Sequence, residues 1–243
     1  MKYVLLFCTL FLIGCGSSYV GVRGGLVPTI QGGEETGSVQ SSSNGLGFTY
    51  GITAGLAFSD KLGMQVDPSF RTASLTQEVA YPFVASEIAY MINAEAFTSA
   101  MLLEVPIIFT TRKRINERFQ TMFGLGPHFA FRTSTSGEIT GTATAMTGPQ
   151  AGSTAPITPV SVSAGSDDSI LFGVSLLAAC DMVISGPLKL RGELRFQHDF
   201  VNDLMCAYEF AGYNGPFITA EYPPTRLSIG IAVLFGSAST ASQ

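Results

Sequence analysis

His128 is the residue best suited by type to move a proton. It is one of two histidines, and it lies on the polar face of its segment, opposite Phe129 and Phe131. A serine nucleophile, that imidazole as base and an aspartate to orient it would make an acyl-transfer site. No G-x-S-x-G or comparable signature surrounds a serine, so no catalytic residue is assigned and an enzyme is not expected. With two histidines and no paired cysteine motif, no metal site or cofactor is expected either. Gly124-Leu125-Gly126 precedes no helix and reads as a strand face, not a phosphate loop. His198 is placed on an outward face near a rim, as an interface residue.

His128 belongs to a wider set of ionisable residues that recur at a spacing of two. In Leu188–Phe200, Leu188, Leu190, Leu194 and Phe196 alternate with Lys189, Arg191, Glu193, Arg195, Gln197 and Asp199, a pattern that separates the two classes on a strand and mixes them on a helix. Asp67, Arg71, Glu104, Arg132, Arg23 and Asp181 hold the same face of other segments. In a soluble sheet these charges would meet water. In a membrane barrel they would meet each other around a closed axis while the apolar face meets lipid. An interior only wide enough for side chains makes a paired, buried network the expected role of Asp67, Arg71, Glu104, His128, Arg132, Arg191, Glu193, Arg195 and Asp199. A wide aqueous pore goes with roughly 16 or more strands and is not expected.

Composition favours the barrel. Only 13% of the 243 residues are charged, yet after the leader no apolar run approaches the roughly 18 positions of a membrane helix. The net charge of -5 argues against a nucleic-acid partner. Residues 1–15 read as a signal peptide, with Lys2 and the apolar Val4–Ile13 in the range of an exported leader. Leu12-Ile13-Gly14-Cys15 resembles the lipobox of bacterial lipoproteins, which implies acylation at Cys15. Ordinary cleavage beside Gly14 or Gly16, with Cys15 lost, is the other reading. Cys180 on a lipid-facing position and Cys206 in a loop are not expected to bridge.

Eight strands are expected: Val20–Thr29, Leu46–Ser59, Leu62–Thr76, Thr98–Thr111, Phe119–Thr133, Ile170–Met182, Leu188–Phe200 and Arg226–Phe235. Glycines repeated on one face of Leu46–Ser59 suit a crowded, curved interior. The connections alternate long and short, the rhythm of an all-β, eight-stranded antiparallel up-and-down transmembrane β-barrel spanning residues 19–236, with a short tail at 237–243. Pro68, Pro106 and Pro127 interrupt strands, where bulges or earlier strand ends are expected. The long connections read as loops. One or two helical turns are expected over Ser86–Ala94, and Ser134–Asp168 is a low-complexity segment unable to fold alone. Tyr208, Phe210, Tyr213 and Phe217 offer a candidate contact surface in the last loop. The basic turn Arg112-Lys113-Arg114 could meet anionic head groups.

The Leu103-Glu104-Val105-Pro106-Ile107 strand, the basic turn, the Gly124-Leu125-Gly126-Pro127 strand, the Gly173 strand and the charged strand ending near Asp199 together resemble the PorT-like outer-membrane β-barrel family. The resemblance implies a bacterial outer-membrane barrel without shared catalytic residues. The expected function is therefore structural or binding, through extracellular loops, with both termini periplasmic. The expected partners are outer-membrane lipids and an unidentified extracellular or envelope protein. A lipid-anchored lipocalin-like or β-sandwich carrier is the alternative, and a rim-active barrel enzyme the third reading.

Overall fold

The computed structural model describes residues 18–36, 39–85, 87–157, 159–164, 170–200, 203–210, 218–222 and 225–236. These form strands β1 (Ser18–Thr36), β2 (Val39–Ala57), β3 (Leu62–Val66), β4 (Ser69–Ala85), β5 (Ile88–Arg114), β6 (Phe119–Ala145), β7 (Thr154–Pro156), β8 (Pro159–Ala164), β9 (Ile170–Ser185), β10 (Leu188–Asp199), β11 (Asp203–Phe210), β12 (Ile218–Tyr222) and β13 (Thr225–Gly236). No helix occurs among the described residues. β3 and β4 are two halves of one wall strand, parted at Asp67-Pro68. The wall is therefore a ring of eight antiparallel members, β1, β2, β3 with β4, β5, β6, β9, β10 and β13, which closes where β13 pairs with β1.

Closure requires tilt. From Leu62 the pairing runs round the wall through Thr111, Phe123, Ala178, Leu194, Ile229 and Leu26 to Phe48. Leu62 itself faces Phe58 across a turn, ten residues further along β2 than Phe48. This stagger corresponds to a strand tilt of about 40°. The chain enters and leaves the wall at one end, where Tyr19 pairs with Gly236. The three short turns, around Asp60, Glu117 and Gly186, lie at that same end, and Gly186 has the positive φ of 51° that its turn needs.

The two faces divide as the alternation predicts. Val22, Phe48, Phe109, Leu194, Ile229 and Ile231 are exposed on the outside, Ile231 at 64%. Arg191 and Arg195 are buried inside at 1% and 2%. The interior is not uniformly charged. Ile108, Met122, Leu177 and Ala179 form one inward apolar cluster, and Ala73, Ala100, Leu102, Ala130 and Leu171 form another.

The prolines do not behave as expected. Only Pro68 ends a strand, and no register shift occurs at Pro106 or Pro127; the β5–β6 shift lies at Met101 and Leu102 instead. Pro68, Pro106 and Pro127 sit on three successive wall members at neighbouring register positions. The missing N–H groups therefore fall into one local gap, which flanking bonds bridge: Asp67 N to Pro106 O at 3.2 Å and Ile52 N to Pro68 O at 3.0 Å. Grouping the vacancies leaves one weakened patch and an unbroken register.

Three expected loops are largely strand. β1 and β2 pair out to Thr36 and Val39, through a shift between Gln31 and Glu34. β4 and β5 pair out to Ala85 and Ile88, so Ile88–Ala94 is strand in place of helical turns. Glu87, at φ 65°, takes the left-handed geometry that two-residue hairpins demand. β6 runs to Ala145, and β7 and β8 occupy further parts of Ser134–Asp168. β8 joins β11 and β12 in a separate three-stranded sheet that uses the fourth connection.

Some wall glycines are fixed by contact. A Cβ on Gly126 would lie 1.8 Å from Ile107 O, whereas one on Gly192 would meet nothing within 4 Å. Gly126→Ala is expected to lower the unfolding free energy by about 1–3 kcal/mol through overpacking, and Gly192→Ala to change it by under about 0.5 kcal/mol. Urea unfolding of protein refolded into vesicles measures both; equal effects would mean that close strand approach is not what Gly126 provides.

Candidate functional site

The inward positions of β1, β3, β9, β10 and β13 assemble a chain of polar contacts from the short-turn end upward. At the mouth, two guanidinium groups approach the Tyr19 ring, Arg191 at 4.9 Å and Arg112 at 5.4 Å from its centroid. Tyr19 Oη donates to Gln65 Oε1. Arg191 grips Asp181 with two bonds of 2.6 and 2.9 Å, and donates to Gln65 Oε1 at 2.7 Å. Lys189, expected inside, is only half-buried at this mouth.

Gln65 hands the chain to Asp67, donating through Nε2 at 2.7 Å. Asp67 also accepts from Thr53 at 2.5 Å and from Arg195 at 2.6 Å. Arg195 lies 3.6 Å from Glu193, which accepts from Arg23 Nε at 2.9 Å and pairs with its Nη2 at 2.6 Å. The next layer pairs Arg71 with Glu104 at 2.8 Å. Arg226 spans from Glu104, at 3.5 Å, to a bidentate contact with Asp199. Arg132 is buried in the same interior at 3% exposure.

Every expected network residue is therefore buried in the lumen, and Arg226 joins them. Arg226 shares its strand face with Ser228 and Ala232 and was readable by the same alternation. Tyr19 and Gln65 share the polar faces of Arg23 and Asp67 in the sequence; as neutral groups they carry no charge signal for the network that they join. These side chains are buried inside the described wall.

His128 sits where a hydrolase would want it. Its Nε2 is 2.5 Å from Asp199 Oδ1 and its Nδ1 is 3.3 Å from Ser175 Oγ. These are the three groups of a nucleophile, base and orienter. Their surroundings oppose that chemistry: His128 and Ser175 are both 0% exposed, Ser175 accepts from Gln197 at 3.3 Å, and Asp199 is shared with Arg226. Among the described residues no group of three potential metal ligands gathers.

His198 is on the outer face, bonded to Thr225 Oγ1 at 2.8 Å and edge-on to Phe200. Cys180 is a free, exposed wall residue. Tyr208 and Phe210 lie in β11. Tyr213, Phe217, Cys15 and the segments 1–15 and 237–243 lie outside the described residues.

The barrel ends differ in charge. After Lys2, every Lys or Arg outside the lumen is at the short-turn end: Lys61, Arg112, Lys113, Arg114, Arg118 and Lys189. Segments 31–44, 77–96, 134–168 and 201–224, whose described parts lie at the other end, contain neither residue type. Glu78, Glu87, Glu95 and Glu138 are exposed there.

Neither a family model nor a curated protein matches the chain. Solved structures do. The outer membrane protein OprG from Pseudomonas aeruginosa is similar over 91% of this chain and 96% of its own, with 11% identity and a TM-score of 0.51. The fold is that of a small outer-membrane β-barrel. Neisserial surface protein A and a major outer membrane protein from Thermus thermophilus each cover 91% of this chain at 11% identity, with TM-scores of 0.37 and with 99% and 100% of their own chains covered. At that score they add nothing to the argument.

The network makes a quantitative demand. Asp67→Asn and Arg195→Leu, each leaving a partner's charge buried and less well compensated, are expected to cost about 3–5 kcal/mol apiece. The double variant should cost less than the two together. A double-mutant cycle of urea unfolding in vesicles measures the coupling; additive losses would show that the two side chains do not stabilise one another.

Proposed function

We propose that this chain is a bacterial outer-membrane protein whose barrel is a closed scaffold and whose long end does the binding. The carrying observation is the inside-out wall, with apolar side chains outside and a lumen filled by paired charges. A soluble lipocalin-like or β-sandwich carrier would need an apolar cavity or dry core where Arg23, Asp67, Arg191, Glu193 and Arg195 stand. In the proposed setting the short turns and both termini face the periplasm. β5 and β6 have 27 residues each, which at about 3.4 Å per residue and 40° of tilt gives roughly 70 Å of height. An apolar band of about 25 Å uses under half of that. The remainder, with β7, β8, β11 and β12, forms the extracellular part, the proposed contact surface for an envelope or extracellular protein. Membership of the PorT-like family fits this reading and is part of the proposal, as is acylation at Cys15.

Boiled and unboiled samples are expected to migrate differently on a gel, with the protein in the outer-membrane fraction. An epitope inserted after Gln150, in the exposed turn between β6 and β7, should bind antibody on intact cells. Recovery in the soluble periplasm would defeat the barrel reading, and an epitope reached only after permeabilisation would invert the orientation.

A catalytic role is not part of the proposal. Purified protein should hydrolyse aryl esters at the buffer rate, with Ser175→Ala unchanged. Hydrolysis above that rate, abolished by Ser175→Ala, would make the Ser175, His128 and Asp199 constellation a working triad.

A further inference from the structure

The outer wall carries a cleft near its short-turn rim. Its volume is about 450 Å³, and its wall residues include Phe58, Leu62, Phe109, Thr111, Phe123 and Leu125. The pairing explains the shape. Leu62, Thr111 and Phe123 form one cross-strand row on the outer face, and Phe109 and Leu125 belong to the next. Thr111, the smallest of these, leaves a floor between bulkier neighbours that stand 53–63% exposed. The depression is shallow and open to the outside of the wall, and its apolar lining has the chemistry of a hydrocarbon chain.

The rim beside the cleft is cationic. Lys113 follows Thr111 on the same outer face, one row nearer the rim, and Lys61 precedes Leu62 and offers its carbonyl to Arg112 N at 2.7 Å. Both lysine residues are exposed, and neither forms an ion pair among the described residues. Arg118 lies in the next turn. An apolar cleft that ends at uncompensated ammonium groups matches a ligand with an acyl chain and an anionic head.

We propose that this rim is a binding site for an anionic phospholipid, the acyl chain lying over Thr111 between Leu62 and Phe123 and the head-group phosphate meeting Lys61 and Lys113. This rests on the reading of the chain as an inserted barrel; given that reading, the occupant is a lipid of the leaflet that the short turns face. Neutral phospholipid would fill the cleft without using the lysines. A second copy of the chain would fill it without any lipid.

The test uses the full-length protein in detergent, shown to be folded by heat-modifiable migration. It is equilibrated with equal amounts of phosphatidylglycerol and phosphatidylcholine and weighed by native mass spectrometry. Wild type should retain phosphatidylglycerol in preference, Lys61→Gln and Lys113→Gln should each cut that preference about fivefold, as expected for a basic residue near an anionic lipid surface, and Thr111→Trp should lose retention of both lipids. Equal retention by wild type, or preference unchanged in the double Gln variant, overturns the proposal. A dimer abolished by Thr111→Trp overturns it in favour of a second copy. Failure of heat-modifiable migration is a separate result that strikes the barrel reading itself.

Discussion

Mutual neutralisation of buried charges is the constraint on which this barrel depends. Arg23, Arg71, Arg132, Arg191, Arg195 and Arg226 stand in the lumen with Asp67, Glu104, Asp181, Glu193 and Asp199. Stripping such ions of water is costly unless geometry and extra hydrogen bonds offset it. The offsets are visible at Asp67, which takes a guanidinium, an amide and a hydroxyl together. Because these partners come from different strands, the pairs also constrain strand order and register. Arg71 with Glu104 joins the neighbours β4 and β5, and Arg23 with Glu193 reaches across β13 to tie β1 to β10. A one-residue slip would turn these groups toward lipid, so the polar interior enforces the same register that the apolar exterior requires.

The wall was legible in the sequence because two solvents act on alternate residues. Lipid outside and charge inside produce a period of two, and that period gave eight strands, their faces and the network residues. The long end was misread because it lacks this contrast. In Gln31–Asn44 and much of Ser134–Asp168 small and polar residues occupy both sequence parities, so alternation fades while the described ladder continues in β1, β2 and β6. Composition then points to loop or disorder. The β-branched threonines of Thr140–Thr144 still favour extended backbone, and a neighbouring strand already in place supplies the pairing that an isolated segment lacks. Arg226 is of the other kind: it opens β13 on the inward face, alternating with the exposed Leu227, Ile229 and Ile231, and the period of two marks it.

The proline cluster shows a second way in which register is protected. A lone proline within a closed wall would leave a ladder position unfilled at a place of its own on each strand. Here Pro68, Pro106 and Pro127 share one neighbourhood, and of these three prolines Pro68 alone stands at a strand break among the described residues, between β3 and β4. Asp67 lies at that break and is fully buried. A side chain with three direct polar partners in the lumen thus sits where the backbone ladder is thinnest. Side-chain bonding from Thr53, Gln65 and Arg195 reinforces a position that the main chain holds through Asp67 N to Pro106 O.

A filled lumen moves any binding to the outside of the molecule, and the outside is electrically divided. The net charge of -5 describes neither end: cations gather around the short turns and carboxylates around the long strands, with the lumen nearly balanced between them. Interactions at the two ends must therefore differ in sign, and a change in ionic strength weakens both through the same screening. The long end presents segments without Lys or Arg, so electrostatic attraction there would select cationic groups. The short-turn rim combines ammonium groups with an apolar cleft, so attraction there selects anionic amphiphiles. Between them, Leu194, Ile229 and Ile231 form a neutral apolar belt that cannot move into water without large cost. This order of charge, grease and opposite charge along one axis fixes the depth of the barrel in a bilayer and assigns different chemistry to each surface.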